Sequence, residues 1–227
     1  MTAQLTDFTS RMTELVHELR LATTSDSEAM LRAASKAAVS AVPGAEYASV
    51  TLVSRDGAIE TPIVVGDLAG KSDALQRELG EGPCVRAAIS DETVWIDDMH
   101  TEERWPRFAA AAAELGVASM VCFTLYIDGP EFGALNLHST QVDAFGPESR
   151  SIGELFAAHA ATSFAAVRER EQLRTALTSR DLIGQAKGMI MERFKIDADA
   201  AFTLLARLSQ DSNTKLVDIA KQIVTAG

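Results

Sequence analysis

Apolar positions along this chain change their period twice, and each change marks an architectural boundary. The opening residues place Leu5, Phe8, Met12, Leu15 and Leu19 at steps of 3, 4, 3 and 4. That narrow seam predicts an amphipathic helix over residues 1–22, suited to a partner helix. Ser25 and Glu28 give a capping-box spacing ahead of EAMLRAASKAAVSAV, a second helix closed by Pro43-Gly44. From Tyr47 the period falls to two, so YASVTLV and AIETPIVV predict strands joined across SRDG. SDALQREL returns to helix and runs into the tight loop GEGP and a short helix holding Cys84. TVWIDDM reads as strand and RWPRFAAAAAELG as a helix stopped by Gly116, while VASMVCFTLYID and FGALNLHS form a second hairpin across Asp128-Gly129-Pro130. The predicted fold class is α+β, an antiparallel sheet with helices beside it.

After Gly146-Pro147 the pattern stays helical, with neither proline nor glycine between Gly153 and Gly184. ELFAAHAATSFAAVREREQLRTALTSRDLI therefore predicts one long helix of about 45 Å, a stiff connector over residues 160–182. Two shorter helices follow: DADAAFTLLARLSQ with Asp197 as N-cap, and TKLVDIAKQIV with Asn213 or Thr214 as cap. Ala201, Leu205 and Leu208 line one face, Leu216, Ile219, Ala220 and Ile223 the next, and Ile183, Ile190 and Phe194 a third wall. A three-helix bundle over residues 172–227 is expected. Its first helix carries Gly184 and Gly188, each costing about 1 kcal/mol relative to alanine. Close approach of another helix would explain them but leaves Lys187 unexplained. At 100° per residue, Arg180, Gly184, Lys187 and Met191 share one stripe beside the apolar face.

Composition narrows the possibilities. A chain of 227 residues with 47% hydrophobic content can bury a medium domain plus a small one. No apolar run approaches the length of a membrane span, and the N-terminus lacks the pattern of a signal peptide. Cys84 and Cys122 are the only cysteines, which excludes a disulfide framework and fits a reducing compartment; a cytoplasmic location is expected. The net charge of −11 argues against a nucleic-acid partner until its distribution is considered. Residues 1–177 carry 14 basic and 26 acidic side chains, whereas residues 178–227 carry 7 and 6. The acid sits upstream, leaving a near-neutral tail that can face an anionic partner.

Within that tail, Ala186-Lys187-Gly188, the Ala201-Phe202 pair, and Ser209 followed by Asn213 and Lys215 together resemble an ANTAR domain, the RNA-binding module of bacterial antiterminators. Residues 23–168 resemble a GAF sensor domain through LGEGPC (79–84), RWPRF (104–108) and GALNL (133–137). The resemblance implies a non-enzymatic regulator that binds hairpin loops of leader transcripts and blocks formation of a terminator; the N-terminal seam, packed against the long helix from Glu154 onward, predicts a homodimer. The residues suited to RNA are Arg180, Lys187, Gly188, Arg193, Arg207, Ser209, Asn213 and Lys215: cations for phosphates and polar groups for unpaired bases. Related sequences often carry Arg where Ala206 stands, but Arg207 is adjacent.

The sensor's signal is less legible. Leu137 follows Asn136 where cyclic-nucleotide-binding members resemble one another in an Asn-Lys-Phe-Asp-Glu pattern, which disfavours that ligand. Nothing points to haem, bilin or another cofactor. No His/Cys cluster has metal spacing. Cys84, at a loop and a helix N-terminus, is a candidate for a lowered thiol pKa and oxidant sensing, set against a plain buried residue. Asn136 and His138, on one strand face, are candidates for contact with a small-molecule ligand, and His138 is also a candidate metal ligand, set against a plain packed or hydrogen-bonded histidine. Two rival readings stand beside the regulator: a GAF-fold redox enzyme acting through Cys84, and a dimeric adaptor whose bundle binds protein.

Overall fold

The computed structural model describes residues 26–54, 58–90, 92–125 and 131–226. The seam over residues 1–22, Ser25, and the hairpin turns at 55–57 and 128–130 lie outside the described residues. The elements run α1 (Ser27–Ala41), β1 (Tyr47–Ser54), β2 (Ile59–Val65), α2 (Asp67–Leu79), α3 (Pro83–Ser90), β3 (Val94–Ile96), α4 (Pro106–Glu114), β4 (Ser119–Leu125), β5 (Glu131–Ser139), α5 (Pro147–Phe194), α6 (Ala198–Asp211) and α7 (Leu216–Ala226). They divide into two compact units, Met1–Arg168 and Glu169–Gly227, with the boundary inside α5.

In the first unit five strands pair antiparallel in the order β2-β1-β5-β4-β3. Alternation sends the side chains of each strand to two separate cores. Val50, Val121, Phe123, Leu125, Leu135 and Leu137 pack with α1 and the first turns of α5. On the opposite face Val53, Met120, Cys122 and Ala134 pack with α3 and α4. β4 is buried along its whole length because both faces are covered. The cap of α1 is Asp26, whose carboxylate accepts the Glu28 N–H at 3.0 Å, so the helix starts one residue later than the Ser25–Glu28 spacing predicts.

α2 begins five residues before the predicted SDALQREL, at Asp67, behind Gly66. Its last turn meets the GEGP loop, where Glu81 accepts the N–H groups of Arg107 and Phe108 at 2.7 and 2.9 Å. Glu81 thereby satisfies the free N–H groups at the start of α4 and ties that helix to the loop before Cys84. α5 runs 48 residues and starts at Pro147, seven positions ahead of Glu154, because proline is tolerated at a helix start. Gly153 lies inside it without breaking it: a Cβ there would collide with the Phe123 ring.

The second unit is the expected bundle of α6, α7 and the end of α5, around a core of Ala186, Ile190, Ala201, Leu205 and Ala220. Asp197 caps α6 as predicted, accepting the Ala200 N–H at 2.8 Å. Three details differ from the sequence expectation. Phe194 and Leu208 point outward rather than into the core, while Ala186 is buried in their place. The first carbonyl of α7 to accept helical bonds is that of Lys215, not Asn213 or Thr214. Asn213 instead takes the left-handed conformation, φ 48°, that turns the chain between α6 and α7. Close helix approach falls at the three buried alanines; around Gly184 and Gly188 an added Cβ meets nothing among the described residues within 4 Å.

Candidate functional site

The nominated RNA-facing residues fall into three groups on the bundle. Arg180 and Lys187 lie on one stripe of α5 with Gly184 between them, and Gly184 presents bare backbone to open space. Arg193 and Gly188 line a groove of about 1130 Å³ whose walls include Met189, Phe194, Leu204 and Leu208. The Phe194 ring is 60% exposed. Arg207 is exposed on α6, three positions after Leu204. The third group is the α6–α7 connection. Ser209 Oγ donates to the Thr214 carbonyl at 2.6 Å and the Thr214 N–H returns to the Ser209 carbonyl at 3.0 Å, so Ser209 shapes the turn that holds Asn213 and Lys215 exposed. Its hydroxyl hydrogen is engaged with the turn, which leaves the oxygen as an acceptor.

The first unit buries its polar groups instead. Ser49, Asn136 and Cys122 stand in one row across β1, β5 and β4, on the face covered by α2 and α3. Asn136 Nδ2 donates to Ser49 Oγ at 3.2 Å and to Thr51 Oγ1 at 2.9 Å, and its carbonyl oxygen has no partner among the described residues. Cys84, second residue of α3, sits opposite this row with its sulfur 3.9 Å from that of Cys122. Asp73 of α2 lies 3.6 Å from the Cys84 sulfur. Gln76 grips Cys84 at both ends: Nε2 donates to the sulfur at 2.7 Å and Oε1 accepts the Cys84 N–H at 2.9 Å. Gly82 is needed here, since its φ is +147° and a Cβ would strike the Gln76 side chain.

Burial sets the titration of these groups. It raises the Asp73 carboxyl to about 6, against the lowering pull of hydroxyl and thiol neighbours at Ser49, Cys84 and Thr61 and of the Arg77 charge. It pushes the Cys84 thiol up, reinforced by Cys122 and the Asp73 charge and only partly offset by the Gln76 amide. The Cys84 thiol at the start of α3 is therefore shifted up rather than down, in keeping with the buried-residue alternative, because desolvation outweighs the partial charge of one short helix. His138 faces the same side as Asn136, with both ring nitrogens lacking a well-formed hydrogen bond, and burial lowers it to about 4. The backbone of Tyr47 opposes that shift weakly. Among the described residues no cluster of His, Cys, Asp and Glu is arranged to hold a metal ion. Asp73, Gln76 and the Cys84–Cys122 proximity are absent from the candidates named on sequence; a polar pair three residues apart in SDALQREL, the helix ahead of LGEGPC, was the available signal.

The GAF domain family model matches residues 24–165, more than half of the chain. The chain belongs to the GAF domain family. Residues 171–224 match the ANTAR domain, an RNA-binding module. The GAF and ANTAR matches fall on either side of the boundary between the two units. Among solved structures, the phytochrome photosensory core module of Stigmatella aurantiaca is similar at a TM-score of 0.60 and 13% identity, covering 92% of this chain and 46% of that one. The GAF domain of a phosphoenolpyruvate-protein phosphotransferase from Coxiella burnetii gives 0.54 and 16%, covering 71% and 94%. The N-acylhomoserine lactone dependent LuxR family factor CepR2 of Burkholderia cenocepacia gives 0.53 and 20%, covering 70% and 96%. At these identities the likeness concerns the fold alone. No curated protein matches the chain. Among the described residues no helix is long and apolar enough to cross a membrane.

Proposed function

We propose that this chain is a signal-responsive regulator of transcription antitermination, in which the ANTAR unit binds hairpin loops of leader transcripts and the GAF unit receives a signal. The observation that carries the reading is the open space at Gly184 and Gly188. Two helix-weakening residues with nothing among the described residues packed against them, one on each side of Lys187, make sense if another molecule must approach the backbone there. A phosphate backbone is that kind of partner, and Lys187 and Arg180 supply its counter-charge. The groove beside Arg193, with the exposed Phe194 ring, suits an unpaired base that stacks and is held at its edge. Asn213 and Lys215 extend the polar surface from the α6–α7 turn.

The working form is a homodimer. Leu173 and Leu177, one turn apart on α5, are 58% and 56% exposed in a stretch where residues 172–178 are all exposed. An isolated helix of that kind gains its stability from a partner face, and a second copy of α5 offers one. The test is affinity for an RNA hairpin pair at several salt concentrations, for the parent protein and for Lys187→Ala. Loss of affinity with a shallower salt dependence, by about one phosphate contact, is expected. Unchanged affinity and slope in a folded variant removes Lys187 from the interface.

A further inference from the structure

Two thiols separated by 38 positions meet inside the GAF unit, and the RNA-binding reading makes no use of them. Both are free, Cys84 at 2% exposure and Cys122 at 0%. A cysteine that only fills space needs no polar company. Cys84 has a carboxylate at 3.6 Å and an amide donor at 2.7 Å, and one Asp73 oxygen is buried without a well-formed hydrogen bond among the described residues. Burying a carboxyl is costly, so a buried carboxyl beside a sulfur pair calls for a reason. We propose that Cys84 and Cys122 form an oxidisable dithiol, a modification site at which a small hydroperoxide converts the pair into an intramolecular disulfide.

The surroundings divide the roles. Cys84 is the sulfur that meets the oxidant, since Gln76 Nε2 can stabilise a developing thiolate and Asp73 can take the proton. Cys122 is the resolving thiol, held in the paired strand β4 opposite Cys84. The Asp73 carboxylate removes the Cys84 proton, and the thiolate attacks one peroxide oxygen. An S–O bond forms as the O–O bond breaks, and the departing oxygen leaves as alcohol or water with the proton from Asp73. The Cys122 sulfur then attacks the Cys84 sulfenic acid. The S–S bond forms, the S–O bond breaks, and hydroxide departs as water with the Cys122 proton. Two thiols lose two electrons to one hydroperoxide, which ends as alcohol or water plus one water.

Burial decides which oxidant can act and how fast. Sulfurs this enclosed exclude bulky disulfides such as oxidised glutathione, whereas hydrogen peroxide is little larger than water. The raised thiol pKa makes the first step slow, while the 3.9 Å separation makes the second efficient. A disulfide needs the sulfurs to close to about 2 Å, so the first turn of α3 must move toward β4 and release the Gln76 grip. Oxidation is thereby tied to the geometry of α2 and of the loop that contains Glu81.

The experiment exposes the reduced full-length protein to hydrogen peroxide, then removes it, denatures the protein, alkylates free thiols and measures the intact mass. The expected product has lost two hydrogens and takes up no alkyl group, carries a Cys84–Cys122 linked peptide, and regains two alkylatable thiols after reduction. Cys122→Ser is expected to stop at a sulfenic acid trapped by dimedone on Cys84. Asp73→Asn is expected to slow oxidation at neutral pH about ten-fold or more. Two alkylatable thiols remaining in the treated parent protein, a link formed only between chains, or a sulfenic acid on Cys122 first would overturn the proposal. The mass of the parent protein decides the matter even if a variant fails to fold, and the result does not depend on RNA binding.

Discussion

The two units solve the same packing problem in opposite ways. The GAF unit covers both faces of a sheet and encloses large side chains, with Phe108, Phe123 and Phe164 fully buried. It also encloses its chemistry: Asp73, Asn136, His138 and both thiols lie inside. The ANTAR unit has a core of five buried residues, three of them alanine, and leaves Phe194, Phe202 and Leu208 at its surface. A unit that small buries a modest share of its apolar area and is correspondingly marginal. The contrast separates two kinds of site. A sensor acts on what reaches its interior, while a bundle that binds a macromolecule must keep its contacts outside.

Core truncation tests this contrast most severely. Phe123→Ala removes a ring that packs edge-on against Trp95 at 5.4 Å and is expected to cost about 3–5 kcal/mol. Leu205→Ala is expected to cost about 2–5 kcal/mol. In the ANTAR unit that loss is enough to unfold the bundle while the GAF transition persists in calorimetry. In the GAF unit the Phe123 loss should lower one transition without abolishing it. A Leu205→Ala protein whose bundle still melts cooperatively would refute the marginal core.

Titration offers the next largest effect, and its sign differs between two buried groups. Folded Asp73 holds its proton up to about pH 6, whereas the unfolded carboxyl loses it near 3.8, so its contribution to stability falls as pH rises through that window. Folded His138 stays neutral down to about 4, whereas the unfolded imidazole is protonated below 6.5, so its contribution falls as pH drops through that window. Each is worth about 3 kcal/mol, and over most of the range they oppose each other. Asp73→Asn removes one of them. The variant is expected to be more stable than the parent at pH 7.5 and to lose stability more steeply on acidification from 6.5 to 4. Denaturant midpoints across that range check it, and parallel pH profiles would show that burial of Asp73 is not what sets them.

Replacing Arg170 and Glu171 with glycine weakens α5 at the boundary between the units by about 2 kcal/mol. The ANTAR transition is expected to drop by several degrees and the GAF transition to stay. A common shift of both would mean the units do not melt separately. The smallest effect is the most diagnostic. Gly188→Ala meets no neighbour among the described residues, so it is expected to stabilise the bundle by about 1 kcal/mol while weakening RNA binding. Gain of stability without loss of affinity would return Gly188 to an incidental role.

The order of elements, the α+β class, the helix that leaves the sheet and the Asp197 cap were legible in the chain, because periodicity and caps are set by neighbours within a turn or a strand. The ANTAR and GAF resemblances rested on short motifs of the same local kind. The interior site was not legible. Cys84 and Cys122 meet only because α3 crosses the face of β4, and Asp73 and Gln76 join them from a third element. The same limit governs the glycines. Gly153 faces the Phe123 ring and Gly184 faces none of the described residues, though each reads as a glycine inside a helical pattern. The outward turn of Phe194 and Leu208, and the upward shift of the Cys84 thiol, belong with them. A residue's own period fixes which neighbours share its face, but what that face meets, and how much water is left there, depends on elements brought together by folding.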